Sequence, residues 1–482
     1  MSTITIAWIA LPFFLGFVIY LIPKLDKYIA LCVAFTSAAY ALQLFVQQSP
    51  LELKLLDNFG VILIVDQLSG YFILTNALVT AAVILYCWHS DKTAFFYGQL
   101  VILHGSINAA FACADLVSLY VALEVSGIAA FLLIAHPRTD RSIWIGLRYL
   151  FVSNVSMLFY LVGAVLVYQA SHSFSFAGLR VAPPEALAFI FLGLLTKGGV
   201  FVSGLWLPLT HSESETPVSA MLSGVVVKAG VYPLVRCALM VQEVDPIVRI
   251  FGVGTALLGV FYAVFEKDTK RMLAFHTVSQ LGFILAAPKV GGFYALTHGL
   301  VKSALFLIAG ALPSRKFKEL QHQPIATPIW IALVIASFSI SGFPLLSGFG
   351  AKVLTTKNLL PWQAIAMNLA AIGTAISFAK FIFLPHGGKT DTPPVPPGFW
   401  AAIILLIGGL FLANVAYWEA YTVANIIKPL AIIGVGWLAY LLFFKHSILK
   451  LPRTLEQFEH LIGVMSLILI LLFWKGFAWL GI

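Results

Sequence analysis

Charge is what this chain has least of. Asp, Glu, Lys and Arg make up 10% of its 482 residues, against roughly 25% in a soluble globular domain. Hydrophobic residues make up 60% and mean hydropathy is +0.96, which excludes a water-soluble fold of this length. Cysteine is scarce too. Cys32, Cys87, Cys113 and Cys237 are scattered through apolar stretches without a C-x-x-C, so neither iron–sulfur ligands nor a disulfide framework is expected. No metal-ligand cluster or nucleophile–base set lies in the apolar runs. The G-x-G of "FGVGTALLG" (251–259) falls inside such a run and follows no strand, which argues against a dinucleotide site. We expect no cofactor and no metal. No basic–aromatic array suggests nucleic acid, and no loop is long enough to fold as a soluble catalytic domain.

What remains is apolar sequence in lengths that cross a membrane, for which a helix needs roughly 20 residues. The runs fall at 4–22, 28–47, 61–88, 95–113, 115–135, 145–168, 186–208, 217–241, 245–265, 272–287, 291–313, 326–345, 361–384, 398–416, 422–444 and 459–480. The expected fold is an all-α polytopic membrane protein of about 14–16 spans. The first run lacks a basic leader and a small-residue cleavage site, so it reads as a retained helix. Lys24 and Lys27, Arg138 and Arg141, Lys267, Lys270 and Arg271, Arg315, Lys316 and Lys318, and Lys445, Lys450 and Arg453 all follow odd-numbered runs. By the positive-inside rule these loops are cytoplasmic and the N-terminus is outside. The net charge of +9 is then chiefly a topology signal. The acidic loop "THSESET" (210–216) is the exception.

Ionisable groups inside the runs carry the functional information, because each costs roughly 3 kcal/mol to insert. Lys197 in "LLTKGGV", Lys228 in "GVVVKAGVY", Lys302 in "THGLVKSALF" and Lys352 in "SGFGAKV" stand out, with Glu124 in "YVALEVSG". A single lysine can snorkel to the headgroups from a helix end. Lys197 and Lys228 suit that poorly, being flanked by apolar and small residues. Several cations with one acid suit a wet, proton-carrying axis better. Lysine can titrate there, because desolvation and neighbouring cations favour its neutral form, whereas arginine holds its proton. His298 and Lys302, four apart, share one helix face and could exchange a proton.

Glycine and proline mark two breaks, "TKGGVFVSGLWLP" ending at Pro208 and "SISGFPLLSGFGAKV" around Pro344. Broken helices are tolerated at membrane depth where they line a cavity, and a pair of them suggests inverted repeats around a site. Lys197 and Lys352 would be the matching lysines.

The blocks "WLPLTHSESETPVSAMLSGVVVKAGVYPLVR" (206–236), "EKDTKRMLAFHTVSQLGFIL" (266–285) and "LTHGLVKSALFLIAG" (296–310) resemble the antiporter-like subunits of complex I and of Mrp-type multisubunit sodium/proton antiporters. The resemblance runs from "VDQLSG" (65–70) to beyond Lys352. "NFGVILIVDQLSGYFILTNALV" (58–79), "FHTVSQLGF" (275–283) and the lysine at the second break are most similar to the Mrp D-type subunit. The resemblance implies two inverted five-helix repeats, here 114–241 and 242–384, between N-terminal helices 1–113 and C-terminal helices 385–482. It implies that Glu124 pairs with Lys197, that Lys228 is a central relay, that His298 and Lys302 continue it, and that Lys352 ends it. Implied partners are other membrane subunits of one complex, protons, a monovalent cation such as sodium, and the bilayer. The implied location is a bacterial inner membrane, with the thylakoid membrane as the alternative.

Other residues read as structural. Asp66 suits a helix cap, and Asp115 an interfacial or capping place on the face opposite Glu124. His104 reads as packed, His276 as axis or structure, and Glu213 and Glu215 as solvated loop acids. Arg148 is assigned no proton-transfer role. The expected function is a proton-translocating subunit of a sodium/proton antiporter complex. The alternatives are a proton-pumping subunit of a redox-driven complex, such as an NADH-quinone oxidoreductase, a photosynthetic NDH complex or a membrane-bound hydrogenase, or the membrane partner of an inorganic-carbon uptake system. A self-sufficient transporter and an intramembrane enzyme are the readings from other classes.

Overall fold

The computed structural model describes residues 2–47, 49–56, 60–387, 394–445, 449 and 451–479, with side chains omitted at 56 and 474–479. Lys450 and the first two residues of the 58–79 block lie outside them. Among the described residues, eleven helices are long and apolar enough to cross a membrane, and three apolar helices are shorter.

The chain begins with α1 (Ser2–Leu21) and α2 (Asp26–Val46), then forms an antiparallel hairpin, β1 (Leu51–Leu56) and β2 (Gly60–Val65). Here the structure departs from the expected run 61–88. Its first residues, "GVILIV", are β-branched and apolar and pair as a strand; only after Asp66 does α3 (Gln67–Tyr86) begin. Asp66 caps that helix by accepting from Ser69 N at 3.0 Å. The hairpin is stitched to the turn between α4 (Ala94–Ala110) and α5 (Leu116–Ile134) through Ile64 N to Ala112 O and Ala114 N to Ile62 O, both 2.8 Å. Asp115 caps α5 through Ser118 N and also accepts from Ile62 N, the capping place expected for it.

After α6 (Asp140–Ser171) comes the first broken span, α7 (Pro184–Lys197) and α8 (Leu207–Glu213), joined by a short 3-10 turn, Val202–Trp206. The next span is α9 (Thr216–Met221) and α10 (Lys228–Met240), joined through a π-helical turn, Leu222–Val226. Then follow α11 (Asp245–Phe265), α12 (Thr269–Ala286), α13 (Gly291–Ala309) and the single turn α14 (Phe317–Leu320). The second broken span is α15 (Thr327–Ser341) and α16 (Ser347–Lys357). The apolar run ends at 345, and α16 escapes a hydropathy reading because "SGFGAKVLTTK" is half polar. The chain ends with α17 (Pro361–Ile382), α18 (Phe399–Val415), α19 (Val423–Ala439) and α20 (Phe458–Trp479).

Every residue of α12 and α13 is buried, and so is the whole apolar window of the span Thr216–Met240. These helices form the middle of the molecule, while α1 and α19 turn most of their surface outward.

The basic loops share one face. Glu215 binds Lys92 at 2.7 Å and approaches His136 at 3.8 Å, while Glu213 contacts Arg141 at 3.5 Å and Arg315 at 3.3 Å. Glu213 and Glu215 are therefore ion-pair partners of three basic loops rather than free loop acids, which explains why an acidic segment sits where cations gather. Glu266 and Glu456 likewise hold Arg271, and Arg148 donates to the Glu456 carbonyl. Glu456 thereby ties the connection before α20 to α12 and α6.

Candidate functional site

At the first break, α7 ends on Lys197, and Gly198 and Gly199 turn the chain away. The indole of Trp206 donates to the Thr196 carbonyl at 2.8 Å, and Phe201 N donates to Thr255 Oγ1 at 2.9 Å, so backbone groups freed by the break find partners. The Lys197 amine turns toward α5 and α6. It donates to Ser153 Oγ at 2.6 Å and lies over Gly127, where a β-carbon would stand 2.8 Å from Nζ.

Glu124 sits one turn before Gly127 on α5, half-buried, close enough for its charge to act on Lys197. Its Oε1 makes no hydrogen bond, and among the described residues it forms no ion pair. The Glu124–Lys197 pair implied by the resemblance is thus not formed in this structure, where a serine hydroxyl holds the amine instead.

Lys228 follows the π-helical turn. That wider turn takes the Ser223 and Gly224 carbonyls out of regular helical pairing, and the amine folds back to donate to Gly224 O at 2.5 Å and Ser223 O at 3.3 Å. The residue is fully buried, as is Lys302 on α13, whose amine donates to the Leu273 carbonyl of α12. Snorkelling is excluded for both. His298, one turn before Lys302, lies within electrostatic range of Lys228 and Lys302, and among the described residues neither of its ring nitrogens finds a hydrogen-bond partner. His276 on α12 is equally buried and equally without hydrogen bonds, and the charges of Lys302, Lys380 and Lys352 all reach it.

At the second break Gly342 has φ +88°, a left-handed conformation that closes α15 and favours glycine. Lys352 reaches back from α16 and donates to the Ser341 carbonyl at 3.0 Å, a cation on a helix C-terminus. Beside it lies a cavity of about 80 Å³ lined by Phe283, Thr355, Asn368, Asn425 and Lys428.

The structure thus brings Lys228, His298, Lys302 and His276 together at the centre, with Lys352 at one end, and sets Glu124 and Lys197 together on a separate flank. Three groups escaped the sequence reading. Lys380 on α17, nearly buried, donates to the carbonyls of Val264 (2.6 Å) and Glu266 (2.9 Å); a lysine inside an apolar run was its signal. His211 was read as loop but is buried in α8, within reach of the Lys302 and Lys228 charges. Arg236 on α10 grips Asp66 at 2.5 and 2.8 Å. Burial of Asp66 favours its neutral acid, but the guanidinium outweighs that and holds the carboxyl below the usual range. His104 is packed as expected, bonded to Thr80, Ser37 and Asn108.

With this geometry established, comparison with known proteins identifies the chain. The family described as NADH:quinone oxidoreductase/Mrp antiporter, TM, matches residues 113–377. The chain belongs to that family. The N-type subunit of the NADH-quinone oxidoreductase of Desulforudis audaxviator is 31% identical over 70% of this chain and 77% of its own length. The D-type subunit of an Na(+)/H(+) antiporter from Alkalihalophilus pseudofirmus is 27% identical over 69% of this chain and 75% of its own. The fold is similar to that of a chain in the Mrp complex from Dietzia sp., with a TM-score of 0.75 at 19% identity, covering 96% of this chain and all of that one. This NADH:quinone oxidoreductase/Mrp family member is an integral membrane protein, and the matched stretch contains Glu124, Lys197, Lys228, His298, Lys302 and Lys352.

Proposed function

We propose that the chain is a proton-translocating subunit of a multisubunit sodium/proton antiporter, with its basic loops on the cytoplasmic side of a bacterial inner membrane. The observation that carries this reading is the buried central row. Lys228 and Lys302 are fully enclosed and, among the described residues, hydrogen-bond only to backbone carbonyls. The charges of both lysines reach His298, and that of Lys302 reaches His276. Amines without a carboxylate partner in a low-dielectric core pass between charged and neutral forms, and imidazole moves a proton between its two nitrogens.

Protons would move from Lys228 through His298 and Lys302 to His276 and leave by Lys352. Glu124 acts as the gate on the flank. When its carboxylate approaches Lys197 the amine is held charged; when Lys197 rests on Ser153, as here, the amine is freer to release its proton. The second reading, a proton-pumping subunit of a redox-driven complex, is favoured by the higher identity to the quinone oxidoreductase subunit. Purification of the tagged chain from its native membrane, with mass spectrometry of its companions, separates the two: small hydrophobic subunits without flavin or iron support the antiporter, and iron–sulfur or hydrogenase subunits the redox machine.

The mechanism itself is tested by Lys228→Arg. Arginine keeps the charge and does not release its proton, so proton transport in membrane vesicles is expected to fall at least about a hundredfold with assembly intact. Wild-type transport in that variant would reduce Lys228 to an electrostatic role.

A further inference from the structure

Away from the central row, the ends of α15, α17 and α19 enclose a cleft of about 610 Å³ on the basic-loop side, lined by Gln321, Trp330, Lys380, His386, Tyr440 and Lys445. Among the described residues its lining holds three basic side chains and no acid. Lys380 forms the floor. Its amine is held by the Ala263, Val264 and Glu266 carbonyls, neutral acceptors at the end of α11, so the amine is fixed in position without a carboxylate hydrogen-bonded to it. Trp330 stacks on His386 with ring centroids 3.8 Å apart. Its indole N–H is buried and, among the described residues, makes no hydrogen bond. The rim is rigid, because Ile325 N donates to Pro385 O at 3.0 Å and Gly387 N to Ile325 O at 3.1 Å.

The flank of the cleft is apolar and faces outward. Phe383, just after α17, and Leu438, Leu441 and Leu442, at the end of α19 and in the π-helical turn Tyr440–Phe444 that continues it, are exposed, the last three on the span that buries least among the eleven long apolar ones. Tryptophan and tyrosine at the ends of spans mark headgroup depth. Basic side chains there, above an apolar flank, match a lipid with a negative headgroup more closely than they match a soluble ion.

We propose that this cleft binds the headgroup of an anionic phospholipid, its phosphate hydrogen-bonded by Lys445 and the Trp330 indole N–H above the buried Lys380 amine, with the acyl chains lying along Phe383 and the outer face of α19.

The test uses the full-length chain with the subunits that accompany it, delipidated in mild detergent. Binding of phosphatidylglycerol, phosphatidylcholine and inorganic phosphate is measured by native mass spectrometry and by thermal shift. The expected result is preference for phosphatidylglycerol over phosphatidylcholine, weakened roughly fivefold by Lys445→Gln, the effect of one lysine near an anionic surface, and weakened also by Lys380→Gln. Should Lys380→Gln fail to fold for want of its cap on α11, Lys445→Gln, at an exposed position, decides alone. Equal binding of the two lipids, or an unchanged preference in Lys445→Gln, overturns the proposal. Protection by inorganic phosphate that depends on Lys445, without a phosphatidylglycerol preference, makes the cleft a free-anion site and overturns the lipid assignment.

Discussion

The two broken spans make the same kind of turn and give their lysines opposite surroundings. Lys197 belongs to the half-helix that ends, and its amine leaves sideways to a serine hydroxyl, over Gly127 and within reach of Glu124. Lys352 belongs to the half-helix that begins, and its amine reaches back over the break to the carbonyl end of the other half, beside a small, mainly apolar cavity. In the proposed mechanism an acid that can approach or withdraw makes the first lysine adjustable, and a fixed carbonyl beside a small cavity makes the second the place of exit. A helix break thus supplies room and freed carbonyls, and the neighbouring span decides what the lysine does with them.

The largest effect that would break this contrast is loss of the adjustable pair. Lys197→Ala and Glu124→Ala are each expected to lower coupled proton transport in vesicles about a hundredfold or more, with the complex still assembled on native gels. Lys352→Ala, at the exit of the proposed row, should lose roughly tenfold. Full activity in either of the first two variants would remove the gate from the mechanism.

A pair of glycine substitutions sharpens the contrast by separating stability from transport. Gly342→Ala forces a β-carbon into a left-handed conformation, 2.7 Å from Lys352 Cδ, and should destabilise the protein by about 1–2 kcal/mol, seen as a melting point lowered by a few degrees in detergent. Gly127→Ala meets side-chain ends alone, Lys197 Nζ at 2.8 Å and Ser153 Oγ at 3.4 Å; the melting point should hold while transport falls, since the amine must leave Ser153. If both variants shift the melting point alike, the two breaks are mechanically equivalent. Smaller still is Ser153→Ala, which removes a neutral hydrogen bond of about 1 kcal/mol and should change transport several-fold and shift its pH profile.

The smallest effect concerns Asp66, which lies in neither break and serves as the control. Its carboxyl is held below the ordinary value by Arg236, so the folded chain binds fewer protons there than the unfolded one. That stability is present above about pH 4 and is lost as pH falls through the depressed value. Asp66→Asn should therefore lower the melting point at pH 7, flatten its acid dependence, and leave the ratio between Lys197→Ala and Lys352→Ala unchanged.

The membrane fold was legible because hydropathy is a local property: each apolar run contains at least one helix or half of a broken one. The strand β2 was not, since six β-branched and aliphatic residues ahead of a helix extend the same hydropathy signal without revealing the period. For the same reason α16 was lost, its lysine, threonines and glycines diluting the run. Glu124, Lys197, Lys228, Lys302 and Lys352 stood out as charges where charge is costly, and His298 by its four-residue spacing from Lys302. What the sequence could not disclose was partnership. That Lys197 rests on Ser153, that Glu213 gathers Arg141 and Arg315, and that Arg236 closes on Asp66 depend on helices far apart in the chain. Lys380 satisfied the criterion that singled out the other lysines, and His211 was hidden by reading a helix end as loop.

The place of α20 has a consequence for how the protein is made. This last helix packs against α6, α7 and the 3-10 turn of the first break, with Phe473 against Phe189 and Phe458 against Phe151, while Glu456 anchors its approach. The lateral cover of the Lys197 half-helix therefore comes from a segment made long after α7. Until α20 docks, α7 presents that surface to lipid, and docking of α20 is itself the step that seals the first break.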